Sequence, residues 1–199
     1  MRIVMIGAGV VGLGTAMLLA GDGHRVIVLE RDPAPPPAEP PEAWQQWQRP
    51  GVNQFRLPHS FLAGFRSVLD AELPEVAEAL QAAGALRLNV IRDVLPAAMT
   101  GGWQDGDECY EWLTGRRPVV EAVLAAAAGS TPGVEVRRDI TVTGLVSGAP
   151  ALPGIPHVTG VRTKVGESIP ADLVVDMTGR APDQVNALLL DFLPHPVTG

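Results

Sequence analysis

Two short apolar runs rich in Val and Ile stand near the start of the chain, one filling residues 3–6 of a strand predicted at Arg2 to Ile6 and one at 26–29. Runs of that kind are expected of strands in a parallel sheet covered on both faces. Between them, residues 10–20 are apolar nearly all round, which predicts a buried helix. Gly21-Asp22-Gly23 ends it, because glycine supplies the left-handed geometry a helix C-terminus needs. The three elements make a βαβ unit of about thirty residues.

The pattern then breaks. "DPAPPPAEPPEAW" carries six prolines and predicts a loop over about residues 33–43. A second loop, "QRPGVNQFRLPHS", leads into a helix predicted over about residues 60–69, and another is predicted over 74–83. "ALRLNVIRD" reads as a strand, "MTGGWQDGDE" as a turn and "CYEWL" as a short strand. Residues 117–128 predict a third helix, with Pro118 suited to its first turn. After the break at residues 129–133 come strand-like runs at 134–138, 140–146 and 157–164, a β-meander in outline. "ADLVVDMTG" is a further buried strand ending in an acid and a glycine turn, and residues 186–193 predict a last helix. There is no internal repeat.

Length and composition narrow the classes. The 199 residues suit one generous domain or one with an appendage. With 46% hydrophobic but 5% aromatic residues, the core must be built from Val, Leu, Ile and Ala. A net charge of −7 argues against nucleic acid or an anionic membrane as main partner, since both need clustered cations. The single cysteine, Cys109, excludes an internal disulfide and points to a reducing, cytoplasmic setting; within an apolar–aromatic run it reads as core rather than nucleophile. The opening apolar run lacks the layout of a signal peptide, and no run reaches the ~18 apolar residues of a membrane span.

The chemistry begins at Gly7-Ala8-Gly9-Val10-Val11-Gly12, a GxGxxG between a strand and a helix, with Glu30 at the end of the next strand, eighteen residues after Gly12. That context is what a dinucleotide site requires. Gly7 permits the tight turn, Gly9 lets a pyrophosphate approach the backbone, and Gly12 allows close helix–sheet packing. The helix N-terminus offers free N–H groups and partial positive charge to phosphates. Glu30 would accept hydrogen bonds from ribose hydroxyls and repel a 2′-phosphate. The motif alone leaves FAD and NAD both open. The chain shows no metal-ligand spacing and no Ser-His-Asp or Cys-His arrangement.

Four stretches resemble the FAD-dependent monooxygenases related to para-hydroxybenzoate hydroxylase. They are the opening unit ending in "LERD", "RPGVNQFRLPHSFLAGFRSVLDAELPEV", "RRPVVEAVLAAA" and "ADLVVDMTGR". The resemblance runs from Ile3 to Arg180. It implies a Rossmann-like α/β FAD-binding fold of three layers (parallel sheet, helices and β-meander) over residues 1–180, with helices inserted at about 58–83 and a tail at 181–199. It also implies that Gly7, Gly9, Val10, Val11, Gly12, Glu30 and Arg31 serve the ADP half of FAD. Arg117 would lie by the pyrophosphate or flavin edge. Gln54, Arg56 and His59 match a loop that approaches the cofactor, and Asp176 and Gly179 close the site at a strand end. Plainer roles stand beside these: Arg117 pairing with Glu121, His59 as a structural polar contact, and Asp176 capping its own turn.

For such a family the resemblance implies NAD(P)H as electron donor, O₂ as oxidant and a small, usually aromatic substrate. The second cofactor motif of relatives, a Gly-Asp pair between a later strand and a helix, has no counterpart here. The chain is therefore expected to be an N-terminal portion, truncated, split or natural, whose exposed apolar face favours association. Two other readings stay open: a different flavoprotein reductase or dehydrogenase, and a catalytically incomplete nucleotide- or partner-binding module.

Overall fold

The computed structural model describes residues 1–152 and 155–179, and the helix expected at 186–193 lies outside them. The chain divides into two compact units, residues 1–35 with 128–199 and residues 36–127.

In the first unit, strands β1 (Arg2–Ile6), β2 (Arg25–Glu30), β6 (Val134–Arg138) and β10 (Leu173–Asp176) form a parallel sheet in the order β10-β1-β2-β6. Ile3, Val4, Met5, Val26, Val28 and Leu29 are all buried, so both faces are covered as the unbroken apolar runs require. Helix α1 (Val10–Gly21) packs on β1 and β2 through a stripe of Val10, Leu13, Ala16 and Met17, while Val11 is exposed. The stop at its end is Gly23, at φ +84°; Gly21 is still helical.

The antiparallel meander β7 (Val142–Leu152), β8 (Ile155–Thr163) and β9 (Ser168–Pro170) supplies the third layer. Val142, Val161, Ile169 and Ala171 pack with Val4 and Leu29, and Ile6, Ile27 and Val174 flank them. Because side chains alternate along a strand, this leaves Ile3, Met5, Val26 and Val28 on the α1 face. Gly160 is needed in β8: a Cβ there would collide with the Ile169 carbonyl of β9.

The second unit holds an antiparallel sheet, β3 (Pro58–Phe61), β5 (Glu111–Arg116) and β4 (Leu86–Asn89), in the order β3-β5-β4; β4 and β5 fall where "ALRLNVIRD" and "CYEWL" predict strands, whereas β3 lies in an expected loop. Pro58–Phe61 pairs along β5, so the helix expected from residue 60 starts later, as α3 (Ala63–Glu72), followed by α4 (Pro74–Ala82). The Pro-rich stretch ends in a tight turn at Pro40–Glu42 and a short helix α2 (Ala43–Gln46), whose Ala43 packs with Trp47, Phe55 and Ala122. The strand read through "ALRLNVIRD" stops at Asn89, whose side-chain oxygen accepts from the Ile91 and Arg92 N–H groups and turns the chain. A second short helix, α5 (Ala97–Thr100), follows. Cys109 is exposed in a turn at Asp107–Tyr110, before β5 begins, and not in a core strand. Helix α6 (Arg117–Ser130) starts in this unit and ends in the first.

Candidate functional site

Parallel order puts the C-terminal ends of β10, β1 and β2 side by side in the first unit, the edge at which open α/β sheets bind ligands. Gly7 leaves β1 at φ +108°, and its N–H donates to the Leu29 carbonyl at 2.8 Å. A Cβ on Gly7 would lie 2.7 Å from the Met177 carbonyl, and one on Gly12 would strike the Gly7 carbonyl. These two glycines are therefore fixed by packing of the loop, the helix and the turn after β10.

Gly9 is different. Its backbone is extended, with φ −81° and ψ −180°, a conformation any residue can adopt, and a Cβ there would meet none of the described residues within 4 Å. Its glycine identity answers to open space at the start of α1. No side chain caps that helix and no acid lies in its first turn, so the N–H groups of Val10, Val11 and Gly12 lack the intrahelical acceptors that later residues have. Gly14 likewise has none of the described residues within 4 Å of its would-be Cβ.

Glu30, 5% exposed, ends β2 with its carboxylate beside the loop. Oε2 accepts from the Ala8 N–H at 2.9 Å and Oε1 from the Asp32 N–H at 3.0 Å. Two backbone donors take up part of a carboxylate's capacity for about four hydrogen bonds. Arg31 beside it is exposed. Asp176 is exposed at the end of β10 and accepts from the Thr178 N–H at 2.8 Å, capping its own turn; Gly179 completes that turn at φ +75°. The Met177 N–H bonds the Ile6 carbonyl at 2.8 Å, which ties this turn to the glycine loop. Open space at Gly9, free helix donors and a carboxylate at the neighbouring strand end together fit the ADP half of FAD.

The other candidate residues assemble in the second unit. Gln54 is exposed and left-handed at φ +59°. Arg56 donates to the Trp47 carbonyl at 2.8 Å and lies over the Trp44 ring, which Arg116 also approaches, at 5.1 Å from guanidinium carbon to ring centroid. His59 sits on β3 opposite Gly115. Burial and the nearby Arg117 charge hold its pKa below the ordinary histidine value, against an opposing pull from Glu121. Arg117 opens α6, donating Nε to Glu121 Oε1 at 2.7 Å and Nη1 to the Asn53 carbonyl at 2.9 Å. Arg49, which sequence reading passed over, donates Nη1 to the other oxygen of Glu121 at 2.5 Å. The signal for Arg49 was an acid in the otherwise apolar helix: Glu121 lies among Val119, Val120, Ala122 and Val123, and a buried carboxylate there demands cations.

Residues 2–40 match the family model described as DAO: FAD dependent oxidoreductase. Over 35 residues the chain is 51% identical to D-amino acid dehydrogenase 2 of Ralstonia nicotianae and 57% identical to the protein of that name from Mesorhizobium japonicum. Each match takes in 18% of this chain and 8% of the relative. Among solved structures, a PqsL mutant from P. aeruginosa superposes with a TM-score of 0.62 at 17% identity, over 96% of this chain and 46% of that one. The Diels-Alderase PyrE3 of pyrroindomycin biosynthesis gives 0.62 at 21%, over 93% and 34%. A mutant of 2-methyl-3-hydroxypyridine-5-carboxylic acid oxygenase gives 0.56 at 15%, over 87% and 38%. PqsL is described as a probable FAD-dependent monooxygenase. The chain thus spans less than half of each of these solved chains. Residues 2–40 thus match the FAD-dependent oxidoreductase model, and the fold is shared with these solved chains, as the resemblance implies.

Proposed function

We propose that this chain is the FAD-binding portion of an oxidoreductase of the aromatic hydroxylase type. The observation that carries the reading is Gly9. It is the motif glycine that neither φ nor described packing demands, and it stands at the start of a helix with no side-chain cap, one residue after Ala8, whose N–H donates to the Glu30 carboxylate. When bound, FAD supplies electron transfer and oxygen activation. The chain's own part is to bind and orient. The Val10, Val11 and Gly12 N–H groups take the pyrophosphate, and Glu30 accepts the ribose hydroxyls while its buried charge disfavours a 2′-phosphate. Arg31, Asp176 and Gly179 border that edge. Within the second unit, Gln54, Arg56, His59 and Arg117 are the proposed cofactor-binding residues, with Arg117 as an anion donor. NAD(P)H is the proposed electron donor, a small aromatic molecule the proposed substrate and the cytoplasm the proposed setting.

A dehydrogenase reading has one observation in its favour, the two D-amino acid dehydrogenase matches. They reach only 35 residues, the βαβ unit that many flavoproteins share, whereas the likeness to PqsL takes in 96% of the chain. Oxygen incorporation into product, traced with labelled O₂, separates the two in any preparation that turns over.

The direct test is the visible spectrum of purified protein after addition of FAD and desalting. A retained flavin band is expected, and Gly9→Glu should abolish it while leaving the fold intact, because the new side chain enters open space. Folded wild-type protein that retains no flavin and binds NAD by calorimetry would overturn the FAD reading.

A further inference from the structure

At the end of the parallel sheet away from the glycine loop, two arginines stand side by side. Arg2 opens β1, Arg25 opens β2, and the two are direct partners in the parallel register. Alternation puts both on the meander face, Arg2 with Val4 and Arg25 with Ile27. Neighbouring strands run about 4.8 Å apart, so the two cations share one stretch of surface. The apolar contacts of the meander begin one row further in, at Val4 and Ile27, and both arginines are exposed.

Neither guanidinium has a hydrogen bond or an ion pair among the described residues, and the acids around them are engaged elsewhere. Asp172 Oδ2 accepts the backbone N–H of Arg2 at 2.7 Å. Glu135 Oε1 accepts Arg137 Nε at 2.8 Å, and Arg137 Nη1 lies 3.7 Å from Glu167. Like charges on neighbouring strands repel, so the arginine pair costs stability unless an anion lies between its members. Beside the pair is a cavity of about 350 Å³, whose lining includes Arg2, Arg25, Val26, Ile27, Gly133 and Glu135. That is the small end of the range for small-molecule sites, and an apolar floor with a few polar groups is their usual make-up.

We propose that Arg2 and Arg25 form a second ligand site, for a small molecule or ion carrying one phosphate-class oxoanion. Each guanidinium offers a fork of donors matched to two oxygens, and two adjacent forks suit a tetrahedral anion with more than one charge. The bound anion also removes the repulsion between them. Glu135 in the wall disfavours a second anionic group, which sets this site apart from one for a dinucleotide. Gly7 and Glu30 stand at the far ends of the same strands, and the five residues of β1 put roughly 16 Å between the two edges. The inference therefore stands independently of the FAD reading.

The test is a ¹⁵N NMR titration of the purified chain with inorganic phosphate and, separately, with glycerol 3-phosphate, at an ionic strength held constant with chloride. Saturable shifts are expected at the Ile27 and Gly133 amides. Arg2→Gln and Arg25→Gln should each weaken binding at least about tenfold. Both variants should stay folded, because the side chains they replace are exposed and unpaired. Gly9→Glu should leave this response unchanged. Tighter binding of glycerol 3-phosphate would identify the ligand as the phosphoryl group of a small metabolite, and tighter binding of the inorganic ion would identify it as free phosphate. Shifts that rise without saturating, dissociation constants unchanged in both glutamine variants, or a response confined to the glycine loop would overturn the proposal.

Discussion

The two units place their charged side chains differently. In the first, acids at the strand ends serve the backbone: the buried Glu30 accepts from Ala8 and Asp32, and the exposed Asp176 and Asp172 accept from Thr178 and Arg2, so each fixes a turn or a strand end, while Arg137 pairs with the exposed Glu135 and Glu167. In the second, charged side chains serve one another. Arg49, Glu121 and Arg117 form one network, and Arg66, Asp70, Arg87 and Glu111 form another that ties α3 to β4 and β5. Backbone-directed acids belong to a site whose donors are backbone N–H groups. Cation-rich side-chain networks suit a region that presents guanidinium groups. The difference also bears on stability, since a buried ion that loses its partner costs far more than a turn that loses its cap.

The sharpest way to break the comparison is to remove the shared acid. Glu121→Ala takes a carboxylate from the buried Arg49 and unanchors Arg117, and it should cost about 3–5 kcal/mol in chemical denaturation. The test in the first unit is of another kind. It is steric: Gly12→Ala drives a Cβ into the Gly7 carbonyl, a backbone atom that can move only with the loop, and should cost about 1–3 kcal/mol. Gly9→Ala meets nothing and should leave the melting temperature unchanged. A Gly9→Ala loss as large as that of Gly12→Ala would show that Gly9 is a packing glycine after all.

The second ionic network yields a smaller effect with a defined pH window. Hydrogen bonds from Arg87, and then Arg66, hold the Asp70 pKa below its ordinary value. A carboxylate depressed on folding stabilises the native state above its unfolded pKa, and that contribution is lost as pH falls through the lower folded value. The loss therefore lies below about pH 4. The side chains are about a quarter exposed, so solvent screens the pair, and Asp70→Asn should cost no more than about 1 kcal/mol at pH 7. Added salt should shrink that difference, and the variant should lose less stability than wild type between pH 4 and pH 2. Parallel stability curves across that range would remove Asp70 from the account.

The same contrast decides what could be read from the chain beforehand. The first unit is built from local signals: unbroken apolar strands, a glycine motif, a helix stop and an acid at a fixed distance. Its βαβ unit and Glu30 were therefore legible. The second unit depends on long-range pairing. Nothing in "LPHSF" announces a strand, because Pro58–Phe61 becomes one only by lying along β5, more than fifty residues later. Arg49 and Glu121 are 72 residues apart, and only their burial makes them partners. Cys109 was misplaced for a related reason: its apolar neighbours suggested a strand, but Gly106 at φ +97° and the following turn put it outside the sheet.

The smallest test returns to the first unit and asks whether its turns are as locally determined as that argument holds. Asp139 joins β6 to the meander in a left-handed conformation, φ +60°, and the next N–H, of Ile140, bonds the Glu30 carbonyl at 3.0 Å. An L-residue held there costs roughly 1–2 kcal/mol relative to the right-handed form. Glycine removes that strain but adds roughly 0.5–1 kcal/mol of lost unfolded-chain freedom. Asp139→Gly should therefore raise stability slightly, by no more than about 1 kcal/mol, read as a higher urea midpoint at unchanged slope. FAD retention should not change, because the bond to Glu30 comes from the Ile140 backbone and survives the substitution. A loss of stability would mean that the aspartate side chain itself holds the turn. In that case the first unit too would depend on side-chain partners, and the contrast between the units would be one of degree.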